Sequence, residues 1–484
     1  MRCTVLLEHK MGVFTVENQS NHPLTVNFVS LGCAKNLVDS EAILGRLMEA
    51  GLVLVGSDEP ADVTVINTCG FIAEARDEAR ENIEIALEQK QAGLVRFVAV
   101  TGCLAQYWQE KLHREFPGID AIIGLAERER IADIIRSIAN TERTAQDVGT
   151  TTYCTPFDRP IFNDQARLRL TDPCWSYLRI SEGCDRKCTF CTIPQIRGPF
   201  RSKPLEAIRA EAEELVRDGT VELNLIGQET SSYGIDLNYS NGLAKLLREL
   251  DTIDHLQWIR VLYVHPATLN EATLMAMAEC QKVVPYIDIP LQHINDRLLK
   301  LMNRRITHRQ TEQLLHQMRD TIPDLTIRTT LLVGFPSETD REFNELLNFV
   351  REYQFEIMGV FIYSPEEGTP AQQLADQIPA DIKQQRFDQL MQIQQEIAFE
   401  ETQKHVGQNL PCLLIYEVEP EEDGPANLDS SLSWWKGRHR GQAPEIDGEC
   451  LIGVSRDSPI APGSILSVRM TERWDYDLIG QILP

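Results

Sequence analysis

The sequence predicts an α/β protein in three parts: an open parallel α/β sheet, a partial (β/α)6 TIM-like barrel, and a small all-β barrel. Three observations lead there. Strand-like and helix-like segments alternate from Leu24 onward, the mark of parallel sheets with helical crossovers. The alternation stops over residues 141–173 and then restarts. After about His405 no helical pattern recurs. A chain of 484 residues also exceeds what one hydrophobic core ordinarily supports. The expected division is an N-terminal extension (1–23), a first domain (24–140), a linker (141–173), a barrel domain (174–403) and a C-terminal β-domain (404–484).

Each element has a local reason. LTVNFVS is rich in β-formers and leads through LGC into DSEAILGRLMEAG, an expected helix with Asp39 or Ser40 as its N-cap. DVTVINT is a second strand, followed by a long polar helix through the eighties. VRFVAVTG and AIIG are the next strands, with helices from about Tyr107 and from Ala126. Polar, proline-bearing TERTAQDVGTTTYCTPFDRPIFNDQ reads as the linker. WSYLRIS, VELNLIG, WIRVLYV, YIDIP, TIRTTLLVGF and FEIMGVFIYS then each precede a stretch able to form a helix, six units of a partial (β/α) barrel. CLLIYEV, ECLIGVS and SILSVRM, separated by Gly- and Pro-containing turns, read as a small β-barrel.

Composition is that of an ordinary globular protein, 43% hydrophobic and 25% charged. No stretch approaches the roughly 18 apolar residues of a membrane span. The first residues lack the h-region and cleavage site of a signal peptide, so a cytoplasmic location is expected, and Met11 is a second possible start. The net charge of −25 disfavours non-specific nucleic-acid binding and suits a basic partner, although solubility alone accounts for many acidic proteins. Twelve cysteines in a large chain without a secretion signal point to metal binding or catalysis before disulfides.

Six of those cysteines fall into two groups. Cys184, Cys188 and Cys191 form a C-x3-C-x2-C run directly after WSYLRIS. Structural zinc takes four ligands. Three thiolates on a four-iron cluster leave one iron open for a substrate, and closely spaced cysteines hold such clusters. The run also follows a barrel strand, where barrel enzymes place their chemistry. Cys33, Cys69 and Cys103 lie about 35 residues apart, each at the end of an expected strand. Ligands collect beyond the carboxyl ends of parallel strands, so these three converge on a second open cluster, or they are small core residues at strand ends. No role is assigned to Cys3, Cys154, Cys174, Cys280, Cys412 or Cys450.

The C-x3-C-x2-C run resembles the signature of the radical S-adenosylmethionine (SAM) superfamily over residues 174 to about 400. That resemblance implies SAM chelated by the open iron, one-electron cleavage to a 5′-deoxyadenosyl radical, and hydrogen abstraction from an unactivated carbon. Gln228, Gln292, His293, Gly334 and Tyr363 follow later strands and are the expected SAM contacts, each also readable as ordinary loop structure. LGCAKNLVDSE, INTCGF and GCLAQ, together with the radical SAM run, make the chain from Leu24 onward similar to the methylthiotransferase family. The family implies two 4Fe–4S clusters, one on Cys33, Cys69 and Cys103 for sulfur delivery and one on Cys184, Cys188 and Cys191. It also implies SAM as both methyl donor and radical source. Asn36, Asp39 and Glu41 match the family motif too, or start a helix.

Branches of the family modify tRNA adenosine or an aspartate β-carbon of small-subunit ribosomal protein twelve. ISEGC, YSPEEGTPA and APEIDGE resemble the protein-directed branch. The C-terminal domain resembles TRAM, a β-barrel often used on RNA, yet from Val406 onward it carries 13 acidic and 6 basic residues. An RNA-binding barrel presents a basic face. Glu445 and Asp447 are therefore candidate substrate contacts, or solvated turn residues, for a basic ribosomal protein. Lys436, Arg438 and Arg440 beside Trp434 and Trp435 are the best feature for the tRNA alternative. A metal-binding, non-catalytic ribosome adaptor is a third reading. The expected partners are the ribosomal protein, an electron donor and a sulfur donor. Lys203 stands where the family usually has Arg, which puts a bidentate contact there in doubt.

Overall fold

The computed structural model describes residues 23–140, 149–156, 161, 163–419 and 428–482. The N-terminal extension lies outside them, apart from its last residue. The chain forms two compact units. The first comprises the residues up to Leu170 with Glu182–Asp185 and Thr192–Arg201, and the second comprises Thr171–Ser181, Arg186–Cys191 and Ser202 onward.

In the first unit β1 (Thr25–Ser30), β2 (Val53–Val55), β3 (Ala61–Thr68), β4 (Val95–Gly102), β5 (Ala121–Ile123) and β6 (Thr151–Tyr153) form one wholly parallel sheet ordered β2-β1-β3-β4-β5-β6. Helix α1 (Ala34–Glu49) packs on one face through Ile43, Leu44 and Leu47. Helix α2 (Ala73–Gln91) packs on the other through Ala79, Ile83 and Ala86. Both faces are thus covered, which is why the central strands read as nearly unbroken apolar runs.

Two expectations need correction here. Helix α1 begins at Ala34 with Cys33 as its N-cap, so Asp39 and Ser40 lie buried inside it and cap nothing. The expected helix from Tyr107 is two short ones, α3 (Cys103–Trp108) and α4 (Glu110–Glu115), broken at Gln109 with φ 42°. Helix α5 (Ile131–Ala139) follows a 3-10 turn over Leu125–Arg130. The linker is also more than a tether. It supplies β6, and its later part lies along α1, where Leu168 N–H donates to the Glu41 carbonyl (3.0 Å) and Leu170 N–H to the Glu41 carboxylate (2.9 Å).

In the second unit β7 (Trp175–Arg179) begins an open parallel sheet. The two-residue strands β8 (Ser181–Glu182) and β9 (Arg201–Ser202) pair with each other, and helix α6 (Ile193–Arg197), which belongs to the first unit, lies between them in sequence. The sheet continues with β10 (Glu222–Ile226), β11 (Trp258–Val261), β12 (Val283–Asp288), β13 (Thr326–Val333) and β14 (Ile357–Ile362), in the order β14-β13-β12-β11-β10-β7. These are the six expected strands, and the sheet does not close. Side chains alternate across it. Leu223, Leu225, Ile259, Val261, Ile287 and Ile327 join the core with α7 (Leu205–Arg217), α8 (Gly242–Asp251), α9 (Glu271–Glu279) and α11 (His308–Thr321). Helix α10 (Asp296–Leu301) precedes α11, and α12 (Asp340–Tyr353) and α13 (Ala380–Lys404) complete the layer. The opposite face carries Tyr177, Glu222, Asn224, Arg260, Tyr286, Asp288 and Arg328, all on the same unit's strands.

β15 (Asn409–Val418), β16 (Leu432–His439), β17 (Cys450–Ser455), β18 (Ile465–Trp474) and β19 (Asp477–Gln481) close into a barrel ordered β15-β16-β17-β19-β18. Three of these strands were expected. β16 and β19 are additional, and closure removes the exposed edges that a three-stranded sheet would leave.

Candidate functional site

The three N-terminal cysteines sit at the carboxyl ends of β1, β3 and β4, which are adjacent in the sheet. Each has a glycine beside it, and the packing explains two of them. Gly32 has φ 101°, and a Cβ there would lie 2.8 Å from Cys69 Cβ. Gly102 has φ 94°, and a Cβ there would collide with the Asn67 side chain and the Thr68 backbone. Only glycine lets the strand ends approach this closely. The thiols feel one another. Burial pushes Cys103 up to about 12, with Cys69 and Cys33 adding to the rise against Arg197, and burial followed by Cys33 raises Cys69. Cys33 is exposed while Cys69 and Cys103 are buried, which leaves one open side. Cys33 also caps α1, where the helix end favours a thiolate.

The polar motif residues around these cysteines form a buried support. Asn67 Nδ2 donates to the Asn36 carbonyl (3.0 Å) and to Ser40 Oγ (2.8 Å). Asp39 pairs with Arg128 and, at 2.7 Å, with Arg197. Glu41 pairs with Arg167 at 3.3 Å. Asn36 lies in the first turn of α1, Asp39 and Glu41 lie beyond it, and all three act as ties beneath the cysteines. The donor set, three convergent thiols with one exposed side, fits a four-iron cluster with an open iron.

Of the second cysteine group, Cys184 belongs to the first unit, where its N–H donates to the Gly198 carbonyl at 3.1 Å. Cys188 and Cys191 belong to the second, joined by a Cys191 N–H to Cys188 carbonyl bond of 3.2 Å. The loop around them is clamped by the turn after α10. Thr189 N–H donates to the Met302 carbonyl (3.2 Å) and Asn303 Nδ2 to the Lys187 carbonyl (2.7 Å). Arg304 Nη1 donates to Cys188 Sγ at 3.4 Å. Arg186 reaches Glu229 (3.1 Å) and Ser232 (2.7 Å) past the end of β10. Arg186 lies inside the C-x3-C-x2-C run and Arg304 in the turn after α10; only their contacts reveal their roles.

The expected SAM contacts divide. Gln228 and Gln292 lie just beyond β10 and β12, the latter with φ 74° and its N–H on the Thr330 carbonyl (2.8 Å). Tyr363 lies just beyond β14, 2% exposed, with its ring edge-on to Phe335 at 5.4 Å. His293 is corrected. It is fully buried, its Nε2 bonds Glu338 at 3.1 Å, and its Nδ1 accepts the Ile294 and Asn295 N–H groups. With both nitrogens occupied it positions a turn. Glu338 also accepts the Gly334 N–H (2.6 Å) and Arg386 (2.7 Å), so Gly334 belongs to the same hub.

Asp447 is a second correction. Its carboxylate is fully buried, accepting Tyr286 OH (2.7 Å) and Ala443 N–H (2.8 Å) and pairing with Arg328 (3.3 Å). Burial raises its pKa despite Arg328. Glu445, with φ 66°, is exposed, but its carboxylate accepts Tyr177 OH at 2.9 Å. Arg438 Nη2 reaches Glu222 at 2.5 Å, and Arg260 Nη1 reaches the Arg440 carbonyl at 2.7 Å. The APEIDGE segment therefore plugs the polar face of the open sheet. The basic patch is largely drawn inward: Arg438 is 1% exposed, Trp434 and Trp435 are buried, and Lys436 pairs with Glu449, while Arg440 stays exposed. Lys203, fully buried, holds both oxygens of Glu211 at 2.7 and 2.6 Å, so its ammonium makes a two-oxygen contact without a guanidinium fork.

A family model described as the radical SAM superfamily matches residues 178–350, one described as uncharacterized protein family UPF0004 matches 25–124, and one described as the TRAM domain matches 423–483. The chain is 40% identical to a ribosomal protein uS12 methylthiotransferase RimO of Geobacter sulfurreducens, over 96% of this chain and 100% of that one. It is 40% identical to one of Bdellovibrio bacteriovorus (95% and 97%) and 38% identical to one of Symbiobacterium thermophilum (96% and 92%). Among solved structures, the radical SAM methyltransferase TsrM of Kitasatospora setae, with tryptophan substrate and a SAM analogue bound, shares the fold. It has a TM-score of 0.51 and 14% identity, covering 84% of this chain and 81% of that one.

Proposed function

The chain belongs to the RimO family of radical SAM methylthiotransferases, and from that membership we propose that it adds a methylthio group to the β-carbon of an aspartate in small-subunit ribosomal protein uS12. The observation that carries the reading is the meeting of Cys33, Cys69 and Cys103 at the ends of three adjacent parallel strands, in a chain that also holds the C-x3-C-x2-C run. When bound, two 4Fe–4S clusters and SAM supply one-electron chemistry, a sulfur atom and a methyl group.

The protein's own residues do the positioning. Cys33, Cys69 and Cys103 hold the sulfur-delivery cluster, and Cys184, Cys188 and Cys191 hold the radical-generating one. The turn from Leu301 to Arg304 fixes the Cys188 loop, and Arg186 ties it to Glu229. Gln228, Gln292 and Tyr363 flank the strand ends where SAM is expected. The C-terminal barrel, acidic and with Trp434, Trp435 and Arg438 buried, suits a basic protein better than RNA. An electron donor and a sulfur donor complete the reaction's needs.

The test is a paired anaerobic assay. Reconstituted enzyme, SAM, sulfide and reductant are offered uS12 in one tube and unmodified tRNA in the other, and mass spectrometry follows an added methylthio group. Gain on the aspartate of uS12 alone supports the reading. Gain on tRNA alone overturns the substrate and leaves the cluster chemistry standing. Iron-free, zinc-loaded protein from an anaerobic purification overturns both.

A further inference from the structure

The first unit holds a cation that neither the motifs nor the proposed chemistry uses. Arg197, at the end of α6, is 2% exposed. Its Nη2 donates to Cys103 Sγ at 3.2 Å. Its Nη1 is anchored on Asp39 at 2.7 Å and on Glu182 at 3.2 Å. Asp39 is held in turn by Arg128, which also reaches Asp164 at 3.3 Å. Ile196, the preceding residue, is fully buried against Cys103 and Leu125. The guanidinium is therefore fixed from behind by two carboxylates and points one N–H at a thiol that lies at the end of β4.

A hydrogen bond to a cluster's thiolate draws electron density from the sulfur, and a nearby buried positive charge favours the more negative state of the cluster. Burial keeps water from screening that charge, so its effect on the sulfur is strong. We infer that Arg197 is a positioning residue of the sulfur-delivery cluster, raising its reduction potential through the N–H···S bond to Cys103, with Asp39 as the anion that offsets part of this effect. The inference rests on the reading of Cys33, Cys69 and Cys103 as cluster ligands and goes beyond it in assigning what sets that cluster's potential.

The test uses the full chain with Cys184, Cys188 and Cys191 all replaced by Ala, so that only the N-terminal cluster is loaded on anaerobic reconstitution with iron and sulfide. Its iron content and a redox titration followed by electron paramagnetic resonance are the readouts. In that background Arg197→Lys, which keeps the charge and loses the fork, is expected to shift the midpoint to more negative potential. Arg197→Gln, which removes the charge, is expected to shift it further the same way. Asp39→Asn, which leaves Arg197 less neutralised, is expected to shift it to more positive potential. A purely structural role predicts altered loading with an unmoved midpoint. Iron-loaded Arg197→Lys and Asp39→Asn proteins with the parent's midpoint overturn the inference even if Arg197→Gln fails to fold. Absence of iron from the parent protein overturns the cluster reading, and the inference with it.

Discussion

Glu222 offers a direct measure of what holds the C-terminal plug in place. It lies at the start of β10 with its side chain fully buried, and it receives Arg260 Nε at 3.0 Å and Arg438 Nη2 at 2.5 Å. Burial alone would raise its pKa, but Arg438 and then Arg260 hold it below the usual 4.5. Glu222→Gln keeps the shape and leaves two buried guanidiniums facing a neutral amide. Removing one partner of a buried ion pair costs about 3–5 kcal/mol. At 1.36 kcal/mol per factor of ten, that is a loss of roughly a hundredfold to several thousandfold in the folding equilibrium of this unit. Urea unfolding followed by tryptophan fluorescence reads it, because Trp175 lies under Arg438 at 5.9 Å and Trp434 is buried in the same unit. Replacing Glu222 and Arg438 together by Met is expected to restore part of the loss, since a matched apolar pair removes both charges. The sign with pH follows from the lowered carboxylate: its contribution is fully present above 4.5 and is lost as pH falls through the lower folded value. A Glu222→Gln protein within about 0.5 kcal/mol of the parent, the scale of ordinary surface changes, refutes a charge-held plug.

The remaining expectations are these. Cys188→Ala is expected to abolish SAM cleavage, while Cys69→Ala spares cleavage and stops sulfur transfer; chromatography of 5′-deoxyadenosine and mass spectrometry of the product separate the two, and normal product from Cys69→Ala sinks the two-cluster assignment. Asp447→Ala strips acceptors from Tyr286 and Ala443 and a partner from Arg328. It is expected to lower stability by about 1–3 kcal/mol and leave KM for uS12 unchanged; a raised KM at intact stability would return Asp447 to the substrate face. His439 is 9% exposed, and burial, with His405, Arg260 and Arg438 adding, pushes its pKa down to about 3. A depressed histidine loses stability as pH falls below the unfolded value near 6.5. Acidification to pH 5 is therefore expected to cost about 2 kcal/mol through His439, and His439→Gln to flatten that slope in thermal unfolding; an unchanged slope counts against its buried, neutral state.

How much of this was legible in the sequence differs element by element. The strand bearing VELNLIG reads directly, because Leu223 and Leu225 alternate with Glu222 and Asn224 at the two-residue period of a strand, and it stands as β10. β2, β6, β16 and β19 escaped notice. Three-residue strands such as Val53–Val55 and Thr151–Tyr153 carry too few residues to show a period, and they exist because a neighbouring strand edge awaits them. Helix α1 was given the wrong start because Asp39 and Ser40 have the chemistry of caps; their side chains are instead drawn into bonds with Arg128 and Asn67 from elsewhere in the chain. APEIDGE looked like a recognition motif because acidic residues in a turn usually face water. Its Asp447 meets Arg328, more than a hundred residues away in sequence.

By itself the sequence determined the class of each part, the six strands of the open barrel, both cysteine groups and the chemistry they imply. Those features are local: they depend on period, spacing and residue type within a few tens of residues. Only the tertiary structure decided that β1, β3 and β4 are neighbours, that His293 and Asp447 serve the scaffold, that Arg438 is buried, and that Arg197 points at Cys103. Those are matters of which charged group meets which partner in the dry interior. A buried charge requires a partner, and sequence distance does not say where the fold will bring one.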